Sequence, residues 1–162
     1  QKIPGAARRL LEVGVPVDSA HRTTAERALH IAAGTGQGYK FCELLLKHGA
    51  DPGAPDQQGR SPLLRALLAG DAQVSGRILL EGERCNILQQ DSEGMSALHV
   101  SISKGLLHVA DLLIQAAADV HCVDVERRTP LHFAAIRGSA DGVKLLLKNS
   151  ADTRALSKGG AS

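Results

Sequence analysis

The histidines are the side chains of this sequence best suited to chemistry, because imidazole binds metal ions and transfers protons near neutral pH. Three of the seven, His30, His99 and His132, close a four-residue pattern that recurs along the chain. Neighbouring copies of the pattern should lie roughly 10 Å apart on the scale of helix packing, which is too far for two rings to share one ion. We therefore predict no metal site. Each ring should instead bond a nearby hydroxyl, such as that of Ser96 or Thr129, and loop backbone of the adjoining repeat.

The serines and aspartates also follow the repeat, so they do not converge with the histidines on one pocket. The sequence contains no Gly-x-Ser-x-Gly nucleophile elbow and no glycine-rich phosphate loop. Cys42, Cys85 and Cys122 are odd in number and well separated, so they indicate neither a disulfide framework nor a zinc site. We predict that the protein is not an enzyme and binds no cofactor. The cysteine usage favours a reducing, intracellular location in the cytoplasm, the nucleus or both.

The four-residue pattern has a nearly fixed period. It begins at residues 27, 61, 96 and 129, and glycines followed by runs of Leu and Ile return at a similar lag. A period in the low thirties is typical of stacked helical repeats. In the last copy, Thr129 and Pro130 are typical of a helix start and Gly138 of a helix end.

These motifs resemble the ankyrin repeat over nearly the whole chain. The resemblance implies an all-α solenoid of helix-turn-helix units with hairpin loops between them. We predict one domain over residues 1–162, with a partial repeat at 1–17 and a truncated hairpin at 156–162. The four whole repeats are predicted at about 18–55, 56–90, 91–123 and 124–155.

Composition agrees with a repeat protein. Aromatic residues make up 2% of the chain, which is few for a globular core but sufficient for thin layers of Leu, Ala and Val. No run of about 18 apolar residues occurs, so we predict no membrane insertion. The net charge of +2 and the few aromatic side chains argue against direct nucleic-acid binding, which usually needs a basic groove with stacking platforms.

Three positions depart from the glycine that the repeat pattern favours. Ala117 and Ser150 stand where Gly49 closes a second helix, and Arg127 stands where the hairpin of the preceding repeat has Gly94. If the backbone is left-handed at the two helix ends, Ala117 and Ser150 should each cost up to about 1 kcal/mol.

The resemblance implies that the concave face, formed by hairpin tips and first helices, binds another protein. The predicted partner-binding residues in the hairpins are Gln57, Gln58, Arg60, Ser92, Glu93, Met95, Val125, Glu126 and Arg128. Those at the ends of first helices are Leu68, Ser103, Lys104, Ile136 and Arg137. Apolar side chains rimmed by arginines are typical of a binding patch, and the arginines favour an acidic partner, either extended or helical.

We predict an adaptor or scaffold module within a larger signalling or regulatory protein. Two alternatives share the fold: an inhibitor-of-kappa-B-like regulator of a transcription factor, and the substrate-receptor domain of a ubiquitin ligase. The resemblance also places Asn86 and His121 in the position that asparaginyl hydroxylases modify in similar proteins.

Overall fold

The structure is a computed structural model that describes residues 16–35, 38–79 and 85–160. Most of the predicted partial repeat lies outside these residues. Eight α-helices lie within them: α1 (Ala28–Gly34), α2 (Tyr39–Lys47), α3 (Pro62–Ala69), α4 (Ala72–Leu79), α5 (Ala97–Lys104), α6 (Leu107–Gln115), α7 (Pro130–Arg137) and α8 (Ala140–Lys148). The predicted all-α class is confirmed. The described residues contain no strand beyond an isolated bridge between Gln90 and Ser96.

The helices α3, α5 and α7 end at a left-handed glycine as the sequence pattern predicts, whereas α1 ends at Thr35 with a φ of −84°. In α3, the Ser61 hydroxyl accepts a hydrogen bond from the Leu64 backbone N–H at 3.3 Å, and Pro62 occupies the first turn, where its missing N–H is not needed. Gly70 ends α3 with a left-handed φ of 76°, which lets the chain turn sharply into α4.

The chain divides into two compact units, residues 1–86 and 87–162. In unit 1, α1 packs against α3, α2 packs against α4, and each first helix contacts its own second helix. Leu29, Leu63, Leu67 and Ile78 are fully buried there. The small side chain of Ala33 is also fully buried, as expected where neighbouring helices approach closely.

Unit 2 repeats this arrangement with α5 against α7 and α6 against α8. Its core consists of Leu98, Ile102, Leu113 and Leu146, each at most 1% exposed. Each predicted whole repeat contains one helix pair, while the repeat boundaries themselves stay predictions.

The hairpins before the first helices are held to one another by backbone hydrogen bonds within each unit. In unit 1, Gln57 N–H donates to Thr24 O at 2.9 Å, and in unit 2, Val125 N–H donates to Glu93 O at 3.0 Å. Gly94 lies so close to the next hairpin that a Cβ there would stand 2.9 Å from the Asp124 Cα. The hairpin tips of a unit therefore form a continuous row of loops.

The backbone is left-handed at the three positions that depart from the glycine of the repeat pattern. Ala117 has a φ of 68°, Ser150 of 67° and Arg127 of 60°. A left-handed turn also occurs at Gly160, whose N–H donates to Ser157 O at 2.9 Å, as Arg127 N–H does to Asp124 O. The described part of the predicted hairpin at 156–162 thus has the backbone geometry of the earlier hairpins.

Candidate protein-binding surface

Two histidines of the recurring pattern, His30 and His99, are structural links between a helix start and the next hairpin. His99 Nδ1 accepts a hydrogen bond from Ser96 N–H at 3.2 Å and lies 2.9 Å from the Ser96 hydroxyl. Its Nε2 lies 2.9 Å from the backbone carbonyl oxygen of Arg128 and must therefore carry the proton. In the same way His30 Nε2 donates to Arg60 O at 3.1 Å. The predicted bonds to the hydroxyl and to loop backbone are confirmed for His99.

Burial decides the charge state of these two rings. It lowers the pKa of His99 and of His30 below the usual value, and the hydrogen bonds to the Arg128 and Arg60 carbonyls offset only part of that effect. Both rings are therefore neutral at pH 7. Within the described residues, no group of three or more His, Cys, Asp or Glu side chains is arranged to hold a metal ion.

Cys122 lies beside His99, yet the pair lacks the features of a nucleophilic site. The Cys122 sulfur lies 3.6 Å from His99 Nδ1 and 3.2 Å from the Ser96 hydroxyl. Burial raises the pKa of the Cys122 thiol to about 11, so the thiolate that a cysteine nucleophile needs is scarce at pH 7. Burial likewise raises the pKa of Cys42 to about 12.

A buried aspartate organises each of two hairpins. Asp124 Oδ1 accepts hydrogen bonds from Glu126 N–H at 2.9 Å and Arg128 N–H at 2.8 Å. Its Oδ2 accepts from Arg128 Nε at 2.7 Å and lies 2.6 Å from Arg128 Nη2. The Arg128 guanidinium also lies over the ring of Phe133, 4.8 Å from its centroid. Asp56 and Arg60 form the same pair in unit 1, with Nε and Nη2 both 3.0 Å from Oδ2.

Burial by itself would raise the pKa of Asp124, but the hydrogen bonds from the Arg128 side chain and backbone outweigh it. The net effect is a pKa below the usual value for Asp124, and Asp56 has a lowered pKa for the corresponding reason with Arg60. The Nε and Nη2 edge of both arginines is thus bound within the hairpin. We expected the arginines to favour an acidic partner, but a carboxylate of a partner cannot bind this edge of Arg60 or Arg128 while the internal ion pair is intact.

Met95 occupies the position that corresponds to Arg60 and Arg128 in the hairpin that precedes α5. Its N–H donates to Asp91 Oδ1 at 2.9 Å, and its side chain is half-buried. Met95, which we predicted to contact a partner, therefore offers only part of its surface to one.

The other predicted hairpin residues lie at the surface. Those that are exposed are Gln57, Gln58, Ser92, Glu93, Val125 and Glu126. In unit 1, Gln57, Gln58 and Arg60 line a small polar pocket of about 100 Å³. At the helix ends, Leu68 of unit 1 is 38% exposed.

In unit 2 the ends of α5 and α7 meet at Arg137. Its Nη1 donates to the Ser103 carbonyl at 2.8 Å, which joins the two helix ends. Lys104 and Arg137 are exposed, Ser103 is half-buried, and Ile136 is 73% exposed. The structure therefore brings all four predicted helix-end residues of this unit to one place.

Sequence reasoning missed several residues of this surface. Phe133, half-buried beneath Arg128 and 5.5 Å from the His99 ring, was considered only as a stacking platform for nucleic acid. Ile31, 56% exposed in unit 1, stands at the same repeat position as Phe133 and was not selected. Asp56, Asp91 and Asp124 recur with the repeat period, and this recurrence was the available signal for the hairpin aspartates.

The helix pairs, the hairpins and their recurrence define a repeat protein of the ankyrin type. The family description "Ankyrin repeats (3 copies)" matches residues 75–157, and "Ankyrin repeat" matches residues 27–57. The chain belongs to the ankyrin-repeat family. Ankyrin repeats bind other proteins and are in general non-catalytic, so the chain is a protein–protein interaction module.

The chain is similar to the neurogenic locus notch homolog proteins. It is 34% identical to protein 1 of Xenopus tropicalis over 129 residues, which are 80% of this chain and 5% of that protein. It is 32% identical to protein 2 of Homo sapiens over 143 residues, which are 88% of this chain and 6% of that protein. The chain thus spans only a small part of these relatives. No helix in the described part of the chain combines the length and apolarity that crossing a bilayer requires.

Proposed function

We propose that the chain is an adaptor or scaffold module of a larger intracellular signalling or regulatory protein. Its partner binds to the hairpin tips and to the C-terminal ends of the first helices. One observation carries this proposal: at these places in unit 2, Ile136 is 73% exposed and Val125 is 44% exposed, although both are apolar. Exposed apolar side chains beside arginines are a feature of protein interfaces. The small share of the notch proteins that aligns supports a module within a longer chain.

The charges at this surface favour an acidic partner at the helix ends. Lys104 and Arg137 are exposed there, whereas Glu93 and Glu126 are exposed at the hairpin tips. Acidic groups of a partner are attracted by Lys104 and Arg137 at the helix ends. They are repelled by the two glutamates at the hairpin tips. We therefore propose that an acidic segment, extended or helical, contacts the helix ends, and that neutral or basic groups of the partner meet the hairpin tips.

Capture of partners from cell lysate with two matched variants tests this proposal. The surface variant combines Gln58→Ala, Val125→Ala and Ile136→Ala. The control variant combines His108→Ala, Lys144→Ala and Lys148→Ala, which are exposed residues of second helices. All six side chains are exposed, so both variants should fold. Charge reversal at Arg128 is unsuitable, because it would place a second carboxylate beside buried Asp124.

We expect the surface variant to retain its partner about tenfold less strongly and the control variant to retain it fully. Equal retention by the surface variant and the unmodified chain would show that the partner binds elsewhere. Loss in the control variant alone would assign the function to the second helices.

A further inference from the structure

We infer that Arg137 is a pre-positioned carboxylate-binding residue and that, with Lys104 and Ile136, it forms the anchor site for an acidic segment of the partner. We call Ser103, Lys104, Gly105, Ile136 and Arg137 the α5–α7 anchor site. The inference rests on the proposed function and specifies which residues select the partner.

The backbone at the end of α5 holds the Arg137 side chain in place. Arg137 Nη1 donates to the Ser103 carbonyl at 2.8 Å. The guanidinium then crosses Gly105 so closely that a Cβ there would lie 2.5 Å from Nη2, 2.8 Å from Cζ and 2.9 Å from Nε. Gly105 also ends α5 with a left-handed φ of 73°. The glycine therefore provides both the turn and the space that the guanidinium occupies.

This arrangement prepares Arg137 for binding. A long side chain normally loses rotamer freedom when a partner binds it, and that loss weakens the complex. Arg137 is already held by the Ser103 carbonyl and by the partial negative charge at the C-terminal end of α5. Its guanidinium has five N–H donors in a planar fork, and the bond to Ser103 uses one of them. Because the residue is exposed, a carboxylate can approach the others.

The surroundings of Arg137 select a negatively charged and partly apolar ligand. Residues 97–107 and 130–140 contain no Asp or Glu, and Asp141, which follows in α8, lies 3.4 Å from Lys144 Nζ. Lys104 adds a second exposed cation, and it forms no ion pair with the described residues. Ile136 precedes Arg137 and is 73% exposed. The matching ligand is a peptide segment that carries Asp or Glu next to a Leu, Ile, Val or Phe side chain.

Selection of random displayed peptides on the unmodified chain tests the predicted chemistry. We expect the enriched peptides to combine a carboxylate with an adjacent apolar residue. The most enriched peptide is then labelled with a fluorophore and titrated against the chain and its variants. A version of that peptide with each Glu replaced by Gln and each Asp by Asn measures the contribution of the carboxylates.

Two variants separate the position of Arg137 from its charge. Arg137→Lys keeps the charge but loses the planar fork. Gly105→Ala keeps Arg137 itself but displaces its guanidinium. Gly70→Ala is the matched control, because Gly70 ends α3 with a φ of 76° and a Cβ there meets nothing within 4 Å. Both glycine substitutions therefore introduce the same backbone strain, and only one moves an arginine.

We expect Arg137→Lys and Gly105→Ala each to weaken peptide binding about tenfold, and Gly70→Ala to leave it unchanged. Enrichment of basic or uncharged peptides, or no enrichment, overturns the inference. Equal binding by the Gly105→Ala and Gly70→Ala variants overturns it as well. In each of these cases the lysate capture still tests the proposed function, because two of its three substitutions, Gln58→Ala and Val125→Ala, lie outside the anchor site.

Discussion

Arg128 stands before the recurring tetrad, at a position that varies between repeats, and from sequence we expected its guanidinium to face a partner. In the structure it pairs with buried Asp124 and lies over Phe133. The aspartate precedes the arginine by four residues, as Asp56 precedes Arg60. In a helix, a spacing of four residues would by itself predict an ion pair between the two side chains. In a hairpin the pairing depends on the turn geometry, which the sequence pattern did not specify.

The buried histidines give the first prediction, a loss of stability below about pH 6.5. Burial lowers the pKa of His30 and His99 in the folded state, so the unfolded state binds more protons as the pH falls through the ordinary histidine pKa. The free energy of unfolding should therefore decrease as the pH falls through that range, by at most about 1.4 kcal/mol per pH unit for each ring.

Thermal melting as a function of pH measures this effect. The control is the double variant His30→Leu/His99→Leu. It copies the chain's own repeat at 56–90, where Leu64 is buried at the same position. The variant should be less stable overall but should melt with a flatter pH dependence between pH 7 and about pH 5.5. A dependence as steep as that of the unmodified chain would show that other groups cause the loss.

The hairpin aspartates give the second prediction. Asp124→Ala should lower the free energy of unfolding by about 3 kcal/mol, because it leaves Arg128 without its ion pair and two backbone N–H groups without their acceptor. Asp91→Ala should lower the free energy of unfolding by only about 1 kcal/mol. Asp91 also accepts hydrogen bonds from two backbone N–H groups, but Met95 stands where Arg128 stands in the other hairpin, so no ion pair is lost.

Urea unfolding at pH 7 compares these two variants. The folded-state pKa of Asp124 lies below its usual value, so its contribution is present above about pH 4 and is lost as the pH falls through the folded pKa. The difference in the free energy of unfolding between the Asp124→Ala and Asp91→Ala variants should therefore decrease at acidic pH. Equal costs at pH 7 would contradict the assigned role of the Arg128 pair.

At the scale of elements, the repeat alignment indicates the backbone conformation of the turns better than it indicates the contacts of their side chains. Ala117, Ser150 and Arg127 stand at positions where glycine occurs in other repeats, and all three have a left-handed φ. Ala25 is also left-handed, with a φ of 52°, at the position that corresponds to Gly59, and we did not predict it. The repeat register alone indicates the backbone conformation of these turns, because each turn must return the chain to the same packing position whichever residue is present.

These strained positions give the third prediction. Ala117→Gly and Ser150→Gly should each raise the free energy of unfolding by about 0.5–1 kcal/mol, because glycine adopts a left-handed φ without the steric cost that Cβ imposes. The matched control is Ala116→Gly, where φ is −82° and glycine should be destabilising. Chemical denaturation of the three variants measures the differences. Stabilisation by the control, or destabilisation by both glycines, would contradict the account.

At the scale of the whole molecule, the period of the sequence predicted four helix pairs, and the structure shows them within two units. A period fixes which residues must pack against the next repeat, and Leu98 and Leu146 are buried accordingly. The period does not determine which residues stand at the surface or what they contact, because exposed positions are free of the packing constraint. The joining of Ser103 and Arg137 was therefore visible only in the structure, although both residues were predicted to lie at helix ends.

The binding of a partner protein by the hairpin tips and first-helix ends is the central claim. Hydrogen–deuterium exchange of the chain, free and bound to a partner captured from lysate, tests it most directly. We expect slower exchange on binding at residues 56–60, 91–95 and 124–128 and at the ends of α5 and α7. The second helices α6 and α8 should exchange as in the free chain. Slower exchange confined to α6 and α8, with unchanged hairpins and first-helix ends, would contradict the claim.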